Sequence, residues 1–227
     1  MTFKKWFDKK YKGIDPHTIM LIDASTQNIS SLSGMECLTK LETLNISSNN
    51  LTSLEGIENL KNLKSLFISN NNLFSLSGIE HLQNLQNLYI LSNKLSSLEG
   101  IEHLTELETL YASNNNLASL EGIGNLKNLK SLFISYNNLS SLSSIEYLKN
   151  LRSLYISNNN LSSLSGIEHL KNLQTLAISN NKLSSASEIL YLKNLKYVDI
   201  SSNLKSLKIA IKYSSNVNLL TALKSLG

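Results

Sequence analysis

Leu63-Lys64-Ser65-Leu66-Phe67-Ile68-Ser69-Asn70-Asn71-Asn72-Leu73-Phe74-Ser75-Leu76-Ser77-Gly78-Ile79-Glu80-His81-Leu82 is the stretch that decides the fold. Leu66 recurs at steps of 22 as Leu44, Leu88, Leu110, Leu132, Leu154 and Leu176, and the series ends on Ile22 and Val198. Ile68 belongs to a second column, Ile46, Ile90, Ala112, Ile134, Ile156, Ile178 and Ile200. Asn71 belongs to a third, with Asn49, Asn93, Asn115, Asn137, Asn159, Asn181 and Asn203. Three columns held in register along the chain define a repeat architecture, in which stacked units share one core.

Elementary physics assigns the parts of each unit. Leu66-x-Ile68 alternates with period two, as a short strand with one buried face requires. Leu73, Leu76, Ile79 and Leu82 must turn inward from a return segment too short for a long helix. The asparagine stands where the chain leaves the strand. Its amide carries donors and an acceptor that can satisfy backbone groups on adjacent turns, so the whole asparagine column is read as structural. Gly34, Gly56, Gly78, Gly100, Gly122 and Gly166 precede the return-segment isoleucine and mark a turn with a permissive backbone, with Ser144 and Glu188 as substitutes.

The full L-x-x-L-x-L-x-x-N-x-L pattern resembles the leucine-rich repeat superfamily over residues 19–203. The resemblance implies an α/β solenoid: about nine short parallel strands on a concave face, helical or 3-10 turns on the convex face, and caps at both ends. The 22-residue unit is similar to that of the phosphatase-one regulatory subunit and the bacterial internalins. The first of these implies a phosphatase-regulatory reading, for which concave acids are present only at Asp23 and Asp199.

Residues 1–18 are expected to form an N-terminal helical cap. Phe3, Trp6, Phe7 and Tyr11 fall on one helical face, interleaved with lysines. A second reading takes residues 1–12 as a basic aromatic membrane-surface helix, making the protein a peripheral membrane or scaffold protein. Residues 204–227 break the period and are expected to form a C-terminal cap.

Several classes fall away on composition. A single cysteine, Cys37, makes no internal disulfide and fits a reducing compartment. The longest apolar run, Ile19-Met20-Leu21-Ile22, is far below the roughly 20 residues of a membrane span. Lysines interrupt the first twelve residues, so no signal peptide is read there, and a cytoplasmic location, or delivery to a host cytoplasm as an effector, is expected. A net charge of +4 is too mild to argue for nucleic acid. No nucleophile, paired-carboxylate or phosphate-loop motif stands apart from the repeat, so neither an enzyme nor a cofactor is expected. His81, His103 and His169 share a repeat position with Cys37, but nothing at consistent spacing completes a metal site.

The functional signal is elsewhere. The residue between the two core aliphatics projects from the concave sheet, and that column reads Asp23, Asn45, Phe67, Tyr89, Tyr111, Phe133, Tyr155, Ala177, Asp199. Five consecutive aromatics on adjacent strands span roughly 19 Å. Small flanking residues are expected to leave the ring faces accessible, and Leu91 and Tyr136 add apolar bulk. Phe67, Tyr89, Leu91, Tyr111, Phe133, Tyr136 and Tyr155 are therefore the candidate partner-binding residues of a monomeric protein-protein interaction module. Reinforcement of the sheet is the competing reading of the same rings. Glu42, Lys64, Gln86, Glu108, Lys130, Arg152, Gln174 and Lys196 form a mixed-charge rim beside them, and Glu58, Glu80, Glu102, Glu146 and Glu168 are read as a solvated outer surface.

Overall fold

Each unit spends three residues on a strand whose middle aliphatic residue is buried and whose flanking residues are, Ala177 apart, at least partly exposed. The computed structural model describes residues 1–203, so the expected C-terminal cap lies outside the described residues. The strands are β1 (Leu21–Asp23), β2 (Thr43–Asn45), β3 (Ser65–Phe67), β4 (Asn87–Tyr89), β5 (Thr109–Tyr111), β6 (Ser131–Phe133), β7 (Ser153–Tyr155), β8 (Thr175–Ala177) and β9 (Tyr197–Asp199). They form one parallel sheet in chain order. Leu44 pairs with Leu66, Leu66 with Leu88, and so on without slippage, so equal repeat offsets occupy equivalent places. A register shift of one residue would turn every core leucine to water, and the unbroken period prevents it.

Behind the sheet the chain returns through 3-10 turns such as Ile57–Asn59 and Ile79–His81. Leu51, Leu54, Ile57, Leu60 and Leu63 of one return segment pack on Leu44, Ile46, Leu66 and Ile68 of the sheet, all essentially without solvent exposure. Each such side chain contributes about 1.5–3 kcal/mol relative to exposure, and none could be buried by a repeat standing alone.

The asparagine column does what its position implies. Asn115 Nδ2 donates to the carbonyls of Ile90 (3.0 Å) and Ala112 (3.2 Å), while its Oδ1 accepts from the Leu95 N–H (3.1 Å). The same pattern runs from Asn49 to Asn203, binding each turn to the one before it. A second ladder, which the sequence reading missed, lies on the outer side. Asn62, Asn84, Asn128, Asn150, Asn172 and Asn194 each donate to a carbonyl in the preceding repeat at 2.8–3.1 Å.

The glycine turns need a left-handed backbone, with φ of 98° at Gly56 and 96° at Gly78. Ser144 keeps that conformation at φ 72°. At the last turn Glu188 is absorbed into a longer 3-10 segment, Ser187–Tyr191, and the left-handed residue is dispensed with. The glutamates two residues after the glycine are not merely a solvated surface. Glu58, Glu80, Glu102 and Glu168 accept the N–H of Gly56, Gly78, Gly100 and Gly166 at 2.7–3.0 Å. This restrains the turn and satisfies a donor that the left-handed residue would otherwise leave to water. At Glu168, hydrogen bonding from its own backbone N–H, ahead of the Gly166 N–H and the His169 and Lys171 charges, holds the carboxyl below its ordinary value against the opposing effect of burial.

Helix α1 (Phe3–Lys10) closes the N-terminal end of the core. Phe3, Trp6 and Phe7 are buried, Trp6 Nε1 donates to Gln27 Oε1 at 3.1 Å, and Phe3 and Lys4 N–H groups bond to the carbonyls of Ser31 and Ser33. The aromatic face is thus spent on the first repeat. The membrane-surface reading needs that aromatic face for a bilayer, and the helix instead presents Lys4, Lys5, Asp8, Lys9 and Lys10 outward, with Lys4 paired to Asp8.

Replacing Asn115 with leucine strands the buried Leu95 N–H, at about 1–3 kcal/mol, and takes one of two amide donors from each of the Ile90 and Ala112 carbonyls, which keep Asn93 and Asn137. Urea denaturation should show a loss of about 1–3 kcal/mol, and a smaller loss for Asn203→Leu, whose site is only part-buried.

Candidate functional site: the concave aromatic stack

Strand pairing carries the five aromatics into one row, because Phe67, Tyr89, Tyr111, Phe133 and Tyr155 are direct partners in the parallel register. Consecutive ring centroids lie 4.4, 4.7, 3.9 and 4.5 Å apart, with interplanar angles of 5–14°. The strand spacing of about 4.8 Å is close to the centroid separation that offset-stacked rings prefer, so a parallel sheet can hold such a stack with little distortion. All five side chains are half-buried. The expectation of accessible ring faces is corrected by this geometry. Each interior face is covered by the next ring, and the ring edges are what solvent meets.

Stacking also means that the rings reinforce the sheet, at roughly 0.5–1.5 kcal/mol per pair beyond area burial. Both readings of the column therefore have a physical basis. Three other members of the column show what the position does when only a turn is needed. Asp23, Asn45 and Asp199 each accept the N–H of the residue two further on, at 3.0–3.1 Å. The aromatics forgo that bond.

The rest of the concave face is small and polar. Ser65, Asn87, Thr109, Ser131 and Ser153 flank the stack on one side, with Asn87 Nδ2 donating to Ser65 Oγ at 3.2 Å. On the other side stand Ser69, the half-buried Leu91, Ser113, Ser135 and Ser157. Tyr136 follows directly, 61% exposed and with a φ of 56°. Its counterparts in the same left-handed column are Thr26, Ser48, Asn70, Ser92, Asn114, Asn158, Asn180 and Ser202, which apart from the β-branched Thr26 are small or amide residues that suit that backbone or tolerate it. A bulky aromatic there is strained and solvent-exposed at once, beside the stack.

Burial, ahead of the nearby Tyr89 and Tyr155 hydroxyls, holds the Tyr111 hydroxyl above its ordinary pKa. At the C-terminal end, burial pushes the Asp199 carboxyl up, but hydrogen bonds from Ser201 and Ser179 outweigh it and leave the group below its ordinary value. Asp23 is also lowered, first by the Ser25 N–H and hydroxyl.

The structure adds side chains that the column reading passed over. Tyr197 is 54% exposed at the first position of β9, where the other strands from β2 onward carry threonine, serine or asparagine. Only its single departure from a small-residue column could have signalled it. Phe74, Tyr147 and Tyr191 are exposed away from the stack, under the ammonium groups of Lys94, Lys127 and Lys171 at 4.7–5.8 Å. His81, His103 and His169 each sit 3.6–3.7 Å from the glutamate before them, and no group of metal-binding side chains is formed among the described residues.

Two measurements check this geometry. Tyr136→Asn should raise stability by roughly 1–2 kcal/mol, read from thermal or urea unfolding, because asparagine relieves the left-handed strain. Ultraviolet titration should show that Tyr111→Phe removes a hydroxyl ionising above the ordinary tyrosine range. The folded state holds that proton more firmly, so the associated stability is present below the ordinary pKa and is lost as pH rises through the raised value.

The family model described as Leucine Rich repeats (2 copies) matches residues 39–82, 105–148, 127–169 and 149–191, together more than half of the chain. No curated protein matches it. Internalin C2 of Listeria monocytogenes is similar in structure, 26% identical with a TM-score of 0.79 over 82% of each chain. A leucine-rich repeat protein of Leptospira interrogans, LIC12759, is 36% identical with a TM-score of 0.75, over 78% of this chain and 47% of its own. The plant peptide hormone receptor RGFR1, in complex with RGF2, is 28% identical with a TM-score of 0.70, over 81% of this chain and 32% of its own. This protein thus spans less than half of the last two. Repeat period, strand register, asparagine ladder and family match agree: the chain belongs to the leucine-rich repeat family.

Proposed function

We propose that this protein is a non-enzymatic interaction module that holds a protein or peptide partner on its concave sheet, with the aromatic stack as the centre of the contact. The observation that carries the reading is the unbroken run of five rings in a column where Asp23, Asn45 and Asp199 serve the turn instead. Ring edges, Leu91 and Tyr136 supply contact area with few rotors, as binding surfaces require. The likeness to RGFR1, a receptor solved with a peptide hormone, supports a peptide or protein as the ligand class. A phosphatase-regulatory role finds little support in the concave acids, because Asp23 and Asp199 are engaged by Ser25 and Ser201.

The test is affinity selection from a displayed peptide library against the full chain. Combined Tyr89→Ser, Tyr111→Ser and Phe133→Ser should abolish capture of the selected peptides while far-ultraviolet circular dichroism stays unchanged. The triple variant also removes stacking, so Leu91→Asp serves as a second probe that leaves all five rings in place, and it should weaken capture about tenfold or more. Capture unaffected by both would reject the concave face as the site.

A further inference from the structure

Charge on the concave face is unevenly distributed. From β3 to β7 its outward-facing columns hold rings, hydroxyls, amides and one leucine, and no carboxylate. Two acids on the neighbouring rim are neutralised, Glu42 by Lys64 at 2.8 Å and Glu108 by Lys130 at 2.7 Å. Arg152 and Lys196 continue that rim toward the C-terminal end. Both are exposed, and neither has an acidic partner among the described residues. Carboxylates stand on the concave face beyond the stack, Asp23 on β1 and Asp199 on β9, each engaged by a serine of its own turn, so the uncompensated charge on the rim of the stack itself is positive.

The rings contribute in the same sense. Stacking at 3.9–4.7 Å covers their negative faces with one another and leaves outward the hydrogen-bearing edges, which carry the positive part of the ring quadrupole. Tyr89, Tyr111 and Tyr155 add hydroxyls to that edge, none of which is hydrogen-bonded within the described chain. They are three solvent-facing hydroxyls able to donate to an acceptor on a ligand. Closed ring faces also argue against single-stranded nucleic acid, which binds by laying bases on open aromatic faces.

We infer that the concave face selects an acidic peptide segment, with carboxylates set against Arg152, Lys196 and the tyrosine hydroxyls and with apolar or aromatic side chains lying across the ring edges, Leu91 and Tyr136. This rests on the concave stack being the binding surface and adds the chemistry of its occupant. An extended segment of about six residues covers the roughly 19 Å of the stack.

The probes are soluble random copolymers of glutamate with tyrosine and of lysine with tyrosine, together with polyglutamate and an oligothymidylate, titrated against the full chain by fluorescence anisotropy. The glutamate–tyrosine copolymer should bind at least about tenfold more tightly than each of the other three, and the binding should fall as salt screens the charges. Arg152→Glu with Lys196→Glu should remove the preference for glutamate over lysine. Tyr111→Ser with Phe133→Ser should reduce the glutamate–tyrosine copolymer to the level of polyglutamate. Equal binding of the two tyrosine copolymers, both lost in the ring variant, would overturn the acidic inference and leave the concave stack standing as a binding surface. Full binding by the ring variant would instead remove the stack from the site, and tighter binding of the oligothymidylate would overturn the choice of a peptide.

Discussion

A chain that winds back and forth every 22 residues must bend repeatedly inside its own core, where backbone amides have no water. One asparagine per turn meets that demand, giving two bonds to carbonyls and taking one from an amide, in the turn itself and in the turn before. Everything else is hung on this. The leucine layers hold their spacing because the ladder fixes it, and the sheet keeps its register because each turn returns to the same height. Hydrophobic burial supplies most of the stabilisation and fixes the register of the strands, while the amide ladder satisfies the buried turns that burial alone would leave unpaired.

Fixed geometry is also what converts an ordinary sequence preference into a surface. Aromatic residues suit strands in general, yet here five of them meet at about the separation at which parallel rings attract. The stack thereby has a double character. It strengthens the sheet, and it offers solvent a rigid strip whose conformational entropy is already lost before any partner arrives, a condition that favours tight association. Tyr136 adds a side chain held against its backbone preference at the margin of that strip.

Most of the architecture was legible because a strict period turns sequence offset into spatial position. The inward leucines, the asparagines, the left-handed glycines and the solvent-facing row all follow from column membership. What did not follow is instructive. Whether neighbouring rings splay or stack depends on side-chain torsions, which no column records. That Glu80 reaches back to the Gly78 amide depends on a left-handed backbone that has to be seen before its hydrogen-bonding needs can be counted. The outer ladder from Asn62 to Asn194 was hidden by abundance, since asparagine is common throughout the chain and this column is broken at Glu106. Tyr197 broke a column once, and a single deviation carries little weight. Beyond Asn203 the period ends, and with it the map from residue number to place.

The segment Asn62–Ser69 is repeated letter for letter at Asn128–Ser135, three turns away, and both copies occupy equivalent positions in the sheet. Such interchangeability means that unequal recombination between repeats could lengthen, shorten or reorder the molecule in whole turns without disturbing its interior. The pattern displayed to the outside would change with every such exchange. Descent by shuffling could thus rewrite what the protein recognises while leaving its scaffold untouched.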